Sequence, residues 1–153
     1  MASAHLTAAG RSRPSALLRR LEAELDALDR AEALLREGRT LSGTDPRLAY
    51  ELMHRAALRA AGVVVARANR ERRRKLPLNA WHALVRIGGE HRDWAEQMQE
   101  LVAERDRLAR REDLVPDALL LERHRELTTA HLAAVREEVL AASLPADLAE
   151  PPR

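Results

Sequence analysis

The chain has 153 residues, which suits one domain with an ordinary core, and 46 % of them are hydrophobic but only 2 % aromatic. It contains no cysteine, which excludes disulfides, thiolate metal sites and cysteine nucleophiles. The 26 basic and 24 acidic residues leave a net charge of +2, so only local clustering of charge can indicate an anionic partner.

Leucine, alanine and valine must supply the core, because there are two Trp, one Tyr and no Phe. No stretch shows the period-two alternation of a strand, and 33 % charged residues with only 6 Gly favour helices. We therefore predict an all-α, antiparallel up-and-down bundle of four to five helices over residues 14–142. Residues 1–13 are expected to be disordered, and residues 143–153 are expected to form a loose tail.

The first helix is expected to begin at Ser12 or Ser15, since either can act as N-cap with Pro14 tolerated in the first turn. Leucines at helical spacing give this helix one apolar stripe. Gly38 is predicted to end it.

Residues 48–69 predict the helix around which the chain is organised. Their apolar residues fill two adjacent stripes, which leaves an outer strip only roughly 80° wide. We expect this helix to be central, with Asp45 as its N-cap and Pro46 at its first position. The predicted outer residues are Glu51, Arg55, Arg59, Gly62 and Ala66.

The second half of the chain is divided by capping and breaking signals. Asn79 is predicted to cap a short helix over residues 80–87, and Gly88-Gly89 to interrupt it before the pattern resumes at Glu90. A last helix is expected from Pro116. Its predicted inward residues are Leu120, Leu127, Ala130 and Ala134, and the apolar stripe is widened by Leu132, Val135 and Val139.

The chain has one local cluster of charge, with six basic residues and one acid in residues 67–75. Three interpretations stay open: a solvated helix end, a surface that contacts RNA or nucleotide phosphates, and a docking site for an acidic protein. Arg105, Arg107, Arg110 and Arg111 would extend the cluster if their helix ended nearby. The predicted nucleic-acid-binding residues are Arg67, Arg70, Arg72, Arg73, Arg74 and Lys75.

Several segments together resemble a small bacterial family of the HEPN class, the higher eukaryote and prokaryote nucleotide-binding domains. The resemblance covers about residues 25–112 and lies in LAYELMHRAALRAA at 48–61, RRR at 72–74, AWHAL at 80–84 and Trp94-Ala95. It implies a four- to five-helix bundle that handles RNA or nucleotides, with a homodimer as one arrangement.

Active HEPN ribonucleases carry an Arg, a polar residue after it, and a His beyond four to six intervening residues. The His acts as acid and base at the ribose 2′-OH, and the Arg stabilises the phosphorane charge. The three formal matches are Arg47 with His54, Arg86 with His91, and Arg125 with His131. About three are expected by chance in so arginine-rich a chain, and none has the preferred Asn, Asp or His after its Arg.

Of these pairs, Arg86 and His91 are the best catalytic candidates, because a break at Gly88-Gly89 could bring their side chains together. The other histidine on a predicted core helix, His54, is expected to be buried with a hydrogen-bond partner. Trp81 and Trp94 are expected to anchor the core rather than to stack on bases.

No cofactor or metal motif is present, since no histidine pair has chelating helical spacing. No apolar run approaches the ~18 residues of a membrane span, and the N-terminus lacks the apolar segment of a signal peptide. We expect a cytoplasmic protein with no membrane contact. The sequence favours a non-catalytic HEPN-like module that binds RNA or nucleotides, with a toxin-like ribonuclease or a structural protein-interaction bundle as alternatives.

Overall fold

The computed structural model describes residues 6–144, with side chains from residue 15 onward. Five helices and no strand occur in this part of the chain, which confirms the predicted all-α bundle. The helices are α1 (Leu6–Leu41), α2 (Pro46–Arg70), α3 (Ala80–Ile87), α4 (Gly89–Arg110) and α5 (Ala118–Ser143).

Helix α2 is the centre of the bundle, as predicted, and packs against each of the other four helices. Eleven of its 25 residues are buried. Arg55, Arg59, Gly62 and Ala66 are exposed, and Glu51 is half-buried, so the predicted outer strip is the one observed.

The long helices alternate in direction around α2. Gly38 near the end of α1 approaches Ala49 near the start of α2, so these two helices are antiparallel. Helix α4 also runs antiparallel to α2. The Tyr50 hydroxyl donates to the Leu101 carbonyl at 2.6 Å, and Arg47, one turn earlier in α2, donates to the Leu108 carbonyl at 2.7 Å.

The predicted capping residues of α2 and α3 occupy their expected positions. Asp45 accepts a hydrogen bond from the Leu48 N–H at 3.1 Å, directly before Pro46. Asn79 accepts from the His82 N–H at 3.1 Å. Gly88 has a φ of 83°, a backbone conformation open to glycine, and this residue separates α3 from α4.

The prediction that Gly38 ends the first helix is wrong. Helix α1 continues to Leu41, and Gly38 is buried within it against α2. A Cβ at this position would lie 3.1 Å from the Ala49 carbonyl oxygen and 3.2 Å from Met53 Cγ. Glycine is therefore needed here for close helix packing rather than for a turn.

The start of the first helix also differs from the prediction, because α1 begins at Leu6 and not at Ser12 or Ser15. A serine can cap a helix but does not force one to start, and the preceding residues include good helix formers such as Ala8 and Ala9. The predicted disorder of residues 1–13 stays a prediction, and residues 1–5 and 145–153 lie outside the described residues.

The inward face of α5 was predicted correctly for Leu132, Val135 and Val139, which are buried, but not for Ala130. The helix is capped by Asp117, whose carboxylate accepts from the N–H groups of Leu119 and Leu120, and Ala130 is exposed. Three polar residues are buried in place of the expected alanines. The buried residues of α5 are Leu121, His124, Thr128, His131, Leu132, Val135 and Val139.

No helix in the described part of the chain is both long enough and apolar enough to cross a membrane.

Candidate nucleic-acid interface

The basic cluster lies at the end of α2 and in the loop that follows it. Helix α2 ends at Arg70, and residues 72–75 form an irregular segment that we name the basic loop. Asn69 fixes the backbone of this loop, because its carbonyl oxygen accepts from the Arg72 N–H at 3.3 Å and from Lys75 Nζ at 3.2 Å. Its side-chain oxygen accepts from the N–H of the buried Leu76 at 2.8 Å.

Three consecutive arginines of the basic loop face solvent. Arg72, Arg73 and Arg74 are exposed, and their guanidinium groups make no hydrogen bond or ion pair with any residue that the structure describes. Their donors are therefore available to an external anion. A guanidinium group presents a planar fork that matches the oxygens of a phosphate.

The two helical members of the cluster are occupied by a carboxylate. Glu24 of α1 accepts from Arg67 Nη1 at 2.6 Å with one oxygen, and from Arg70 with the other. The predicted set of six cations is thus divided into two that are paired with α1 and four in the basic loop.

The predicted extension of the cluster does not form. Because α4 is antiparallel to α2, its C-terminal end lies beside the start of α2, and the 25-residue α2 is about 37 Å long. Three of the four arginines, Arg105, Arg107 and Arg111, are instead paired with carboxylates away from the basic loop. Arg105 donates to Glu51 at 2.9 Å, and Arg111 donates to Asp113 at 2.6 Å.

Arg86 and His91, the best catalytic candidates of the sequence, are not joined by any hydrogen bond that the structure gives. Arg86 is exposed, with no partner for its side chain among the described residues. His91 is engaged on both ring nitrogens. Its Nδ1 lies 3.1 Å from Nε2 of His131, and its Nε2 lies 2.9 Å from a carboxylate oxygen of Glu138.

For two neutral rings, the contacts of His91 define one tautomer of each imidazole. An ionised Glu138 can only accept, so Nε2–H of His91 donates to it. A neutral His91 then accepts at Nδ1 from Nε2–H of His131. This leaves Nδ1 of His131 as a buried acceptor without a partner in the described chain.

Neither of the other two motif pairs is arranged for catalysis. Arg47 donates to three carbonyl oxygens at the end of α4 and beyond, those of Leu108, Arg111 and Leu114. Its motif partner His54 is buried, at 2 % exposure. Arg125 pairs with Glu122 on its own helix, and His131 is buried.

Rings from four helices form one connected cluster inside the bundle. It includes the chain's three aromatic residues, and neighbouring ring centroids lie 3.6 to 5.7 Å apart. The prediction that Trp81 and Trp94 anchor the core is confirmed, because Trp94 is buried and Trp81 packs on it. The cluster runs in the order Tyr50, His124, His54, Trp81, Trp94, His131 and His91.

Burial keeps three histidines of this cluster neutral. It lowers the pKa of His54 to about 4, with a smaller contribution from the Arg105 charge. It also lowers the pKa of His124 to about 4 and that of His131 to about 3. His54 was predicted to have a hydrogen-bond partner, and the structure identifies it as His124, whose Nε2 lies 3.4 Å from His54 Nδ1. The other ring nitrogen of His124 lies 2.9 Å from the Thr128 hydroxyl oxygen.

No group of three histidine or carboxylate side chains in the described residues is placed to hold a metal ion.

The polar interior of α5 was missed by the sequence analysis. His124, Thr128 and His131 are spaced at four and three residues, which is the spacing of one helix face. That spacing is the available signal, but the hydropathy of the α5 alanines favours a different inward face. Trp94 also donates to the Leu127 carbonyl at 3.1 Å, so α4 and α5 meet through polar as well as apolar contacts.

The comparison with protein families matches residues 40–111 to the SAV_6107-like HEPN family. Residues 40–111 are HEPN-like. The match covers slightly less than half of the 153 residues and spans α2, the basic loop, α3 and α4. Neither curated proteins nor solved structures gave a match to this chain.

Proposed function

We propose that this HEPN-like protein is a non-catalytic module that binds RNA through its phosphates at the basic loop, residues 72–75. The observation that carries the proposal is the group of three adjacent, exposed guanidinium groups of Arg72, Arg73 and Arg74, which have no partner among the described residues. Neutralising phosphates with such groups releases condensed counterions, which is the main source of sequence-independent affinity for nucleic acid.

Binding at this loop is expected to depend on phosphate rather than on base identity. Proteins that grip single-stranded bases place aromatic rings on their surface. Here Tyr50 and Trp94 are buried, and the half-buried Trp81 packs against Trp94 and His54. The loop therefore offers charge without a stacking platform.

The surroundings of His91 favour binding without cleavage. A general base must bring a free ring nitrogen within hydrogen-bond reach of the 2′-OH. Both ring nitrogens of His91 are already bonded, to His131 and Glu138, and Arg86 is not among its partners. The proposal therefore gives His91 a structural role between α4 and α5.

Fluorescence anisotropy with a labelled oligouridylate tests the proposal. With three to four phosphate contacts, the logarithm of the association constant should fall against the logarithm of salt concentration with a slope of about −2 to −3. The same RNA, run on a denaturing gel after incubation, should remain intact.

Two results would contradict the proposal. Cleavage that disappears in His91→Ala would establish a ribonuclease and place Arg86 and His91 at its centre. Absence of binding at the lowest salt concentration would leave an acidic protein as the partner of the basic loop.

A further inference from the structure

Glu24 holds two of the six clustered cations from the opposite side of a helix interface. It lies on α1, 43 positions from Arg67 in the sequence, and its side chain is only 11 % exposed. Each carboxylate oxygen accepts from a different arginine, one from Arg67 and one from Arg70.

The arrangement commits both guanidinium groups without burying them. The side chains of Arg67 and Arg70 remain 29 % and 34 % exposed, so water and small ions reach them. Charge-assisted hydrogen bonds are roughly twice as strong as neutral ones, and here they direct both arginines towards α1. A phosphate would have to compete with an already positioned carboxylate for these donors.

These arginines are close to the basic loop along the chain. Arg70 is the last residue of α2 and is two residues before Arg72. A strand of RNA lying on the loop would therefore pass near Arg67 and Arg70, yet would find their donors occupied and a negative charge between them.

We propose that Glu24 sets the number of phosphates this protein contacts, by holding Arg67 and Arg70 away from RNA bound at the basic loop. The inference rests on the proposed function. It makes Glu24 a positioning residue that keeps the RNA contact short and the affinity moderate.

The central test replaces Glu24 by glutamine. Glu24→Gln keeps the size of the side chain but removes the charge, so both arginines become available to phosphate. Two added contacts should change the salt slope on oligouridylate from about −2.8 to about −4.2, at about 0.7 for each phosphate. Between about 50 and 200 mM salt, the loss of affinity should then grow from about 50-fold to about 300-fold.

Glu22→Gln is the matched control. Glu22 lies on the same helix, is exposed, and makes no hydrogen bond or ion pair with the described residues. It changes the net charge by the same amount as Glu24→Gln, so it measures the effect of charge alone. Its salt slope should equal that of the unchanged protein.

Two more variants separate the proposed role from a merely structural one. Adding Arg67→Ala and Arg70→Ala to Glu24→Gln should return the slope to about −2.8, since the released donors are then gone. Glu24→Asp keeps the charge but shortens the side chain, and should give an intermediate slope. It provides the test if Glu24→Gln fails to fold, which circular dichroism would reveal.

The outcomes distinguish this inference from the function on which it rests. A steeper slope for Glu24→Gln than for Glu22→Gln supports the inference. Equal slopes in two variants that bind RNA would overturn it and leave the proposed function standing. No binding by the unchanged protein or by any variant would overturn both.

Discussion

Two glycines within helices differ in whether they affect helix packing. The missing side chain of Gly38 allows α1 and α2 to approach closely, whereas Gly62 faces open space. Gly38 lies in the interface, where a Cβ would meet the Ala49 carbonyl oxygen at 3.1 Å. Gly62 lies on the exposed strip of α2, where a Cβ would meet nothing within 4 Å. The same residue type therefore serves packing at one position and has no packing role at the other.

Alanine substitutions at these two positions should have opposite effects on stability. Gly62→Ala should raise the free energy of unfolding by about 0.5–1 kcal/mol, because alanine is the better helix former. Gly38→Ala makes the same gain in propensity but forces two helices apart, and overpacking of this kind costs about 1–3 kcal/mol. Urea unfolding of both variants measures the difference. A stabilised Gly38→Ala would show that the interface yields freely.

At the scale of secondary-structure elements, a buried carboxylate on α4 binds the start of α5. Glu104 is 5 % exposed and accepts from Arg107 on its own helix and from the Asp117 N–H at 2.9 Å. The hydrogen bonds from Arg107 are the main cause that lowers the pKa of Glu104. Arg107 also donates to the Val115 carbonyl at 3.0 Å, so the last part of the connection between the two helices is held against α4.

Glu104→Ala should destabilise the protein by about 1–3 kcal/mol, because it leaves a backbone donor and a guanidinium without their acceptor. Glu100→Ala is the control on the same helix, since Glu100 is exposed and makes no hydrogen bond in the described chain. It should stay within about 0.5 kcal/mol of the unchanged protein. Equal midpoints of thermal unfolding for both variants would contradict this role of Glu104.

Helix boundaries with a local cause could be predicted from the sequence, whereas contacts between helices could not. The caps Asp45 and Asn79 and the break at Gly88 act within a few residues, so their signals were legible. The Arg67–Glu24 pair joins residues 43 positions apart, and no local pattern marks it. The helix predicted over residues 48–69 placed the basic cluster at a helix end, as observed, but the pairing of Arg67 and Arg70 with Glu24 required the fold.

At the scale of the whole molecule, the ring cluster makes folding sensitive to acid. The folded-state pKa values of His54 and His124 are about 4 and that of His131 is about 3, while an unfolded histidine titrates near 6.5. The unfolded chain therefore binds more protons below pH 6.5. The stability these groups contribute is present above that pH and is lost as the pH falls towards 4.

The free energy of unfolding should consequently fall between about pH 6.5 and 4, by up to about 1.4 kcal/mol per pH unit for each of the three histidines. Glu51 and Glu104, whose pKa values are lowered by arginine partners, should add a further loss only below about 4.5. Urea unfolding across this range measures the effect, with the exposed His82→Gln as control. Constant stability from about pH 7 to 5 would contradict the buried, neutral state of the cluster.

The central claim is that the basic loop binds RNA phosphates, and a comparison of two triple variants tests it most directly. Arg72, Arg73 and Arg74 are changed to alanine in one variant. In the other, alanine replaces Arg36, Arg59 and Arg123, which are exposed and have no side-chain partner in the described part of the chain, so both variants lose the same charge. The loop variant should lose about 2 units of salt slope on oligouridylate, while the control variant should keep the slope of the unchanged protein. Equal losses in the two variants would show that binding follows net charge, and would contradict a site at the basic loop.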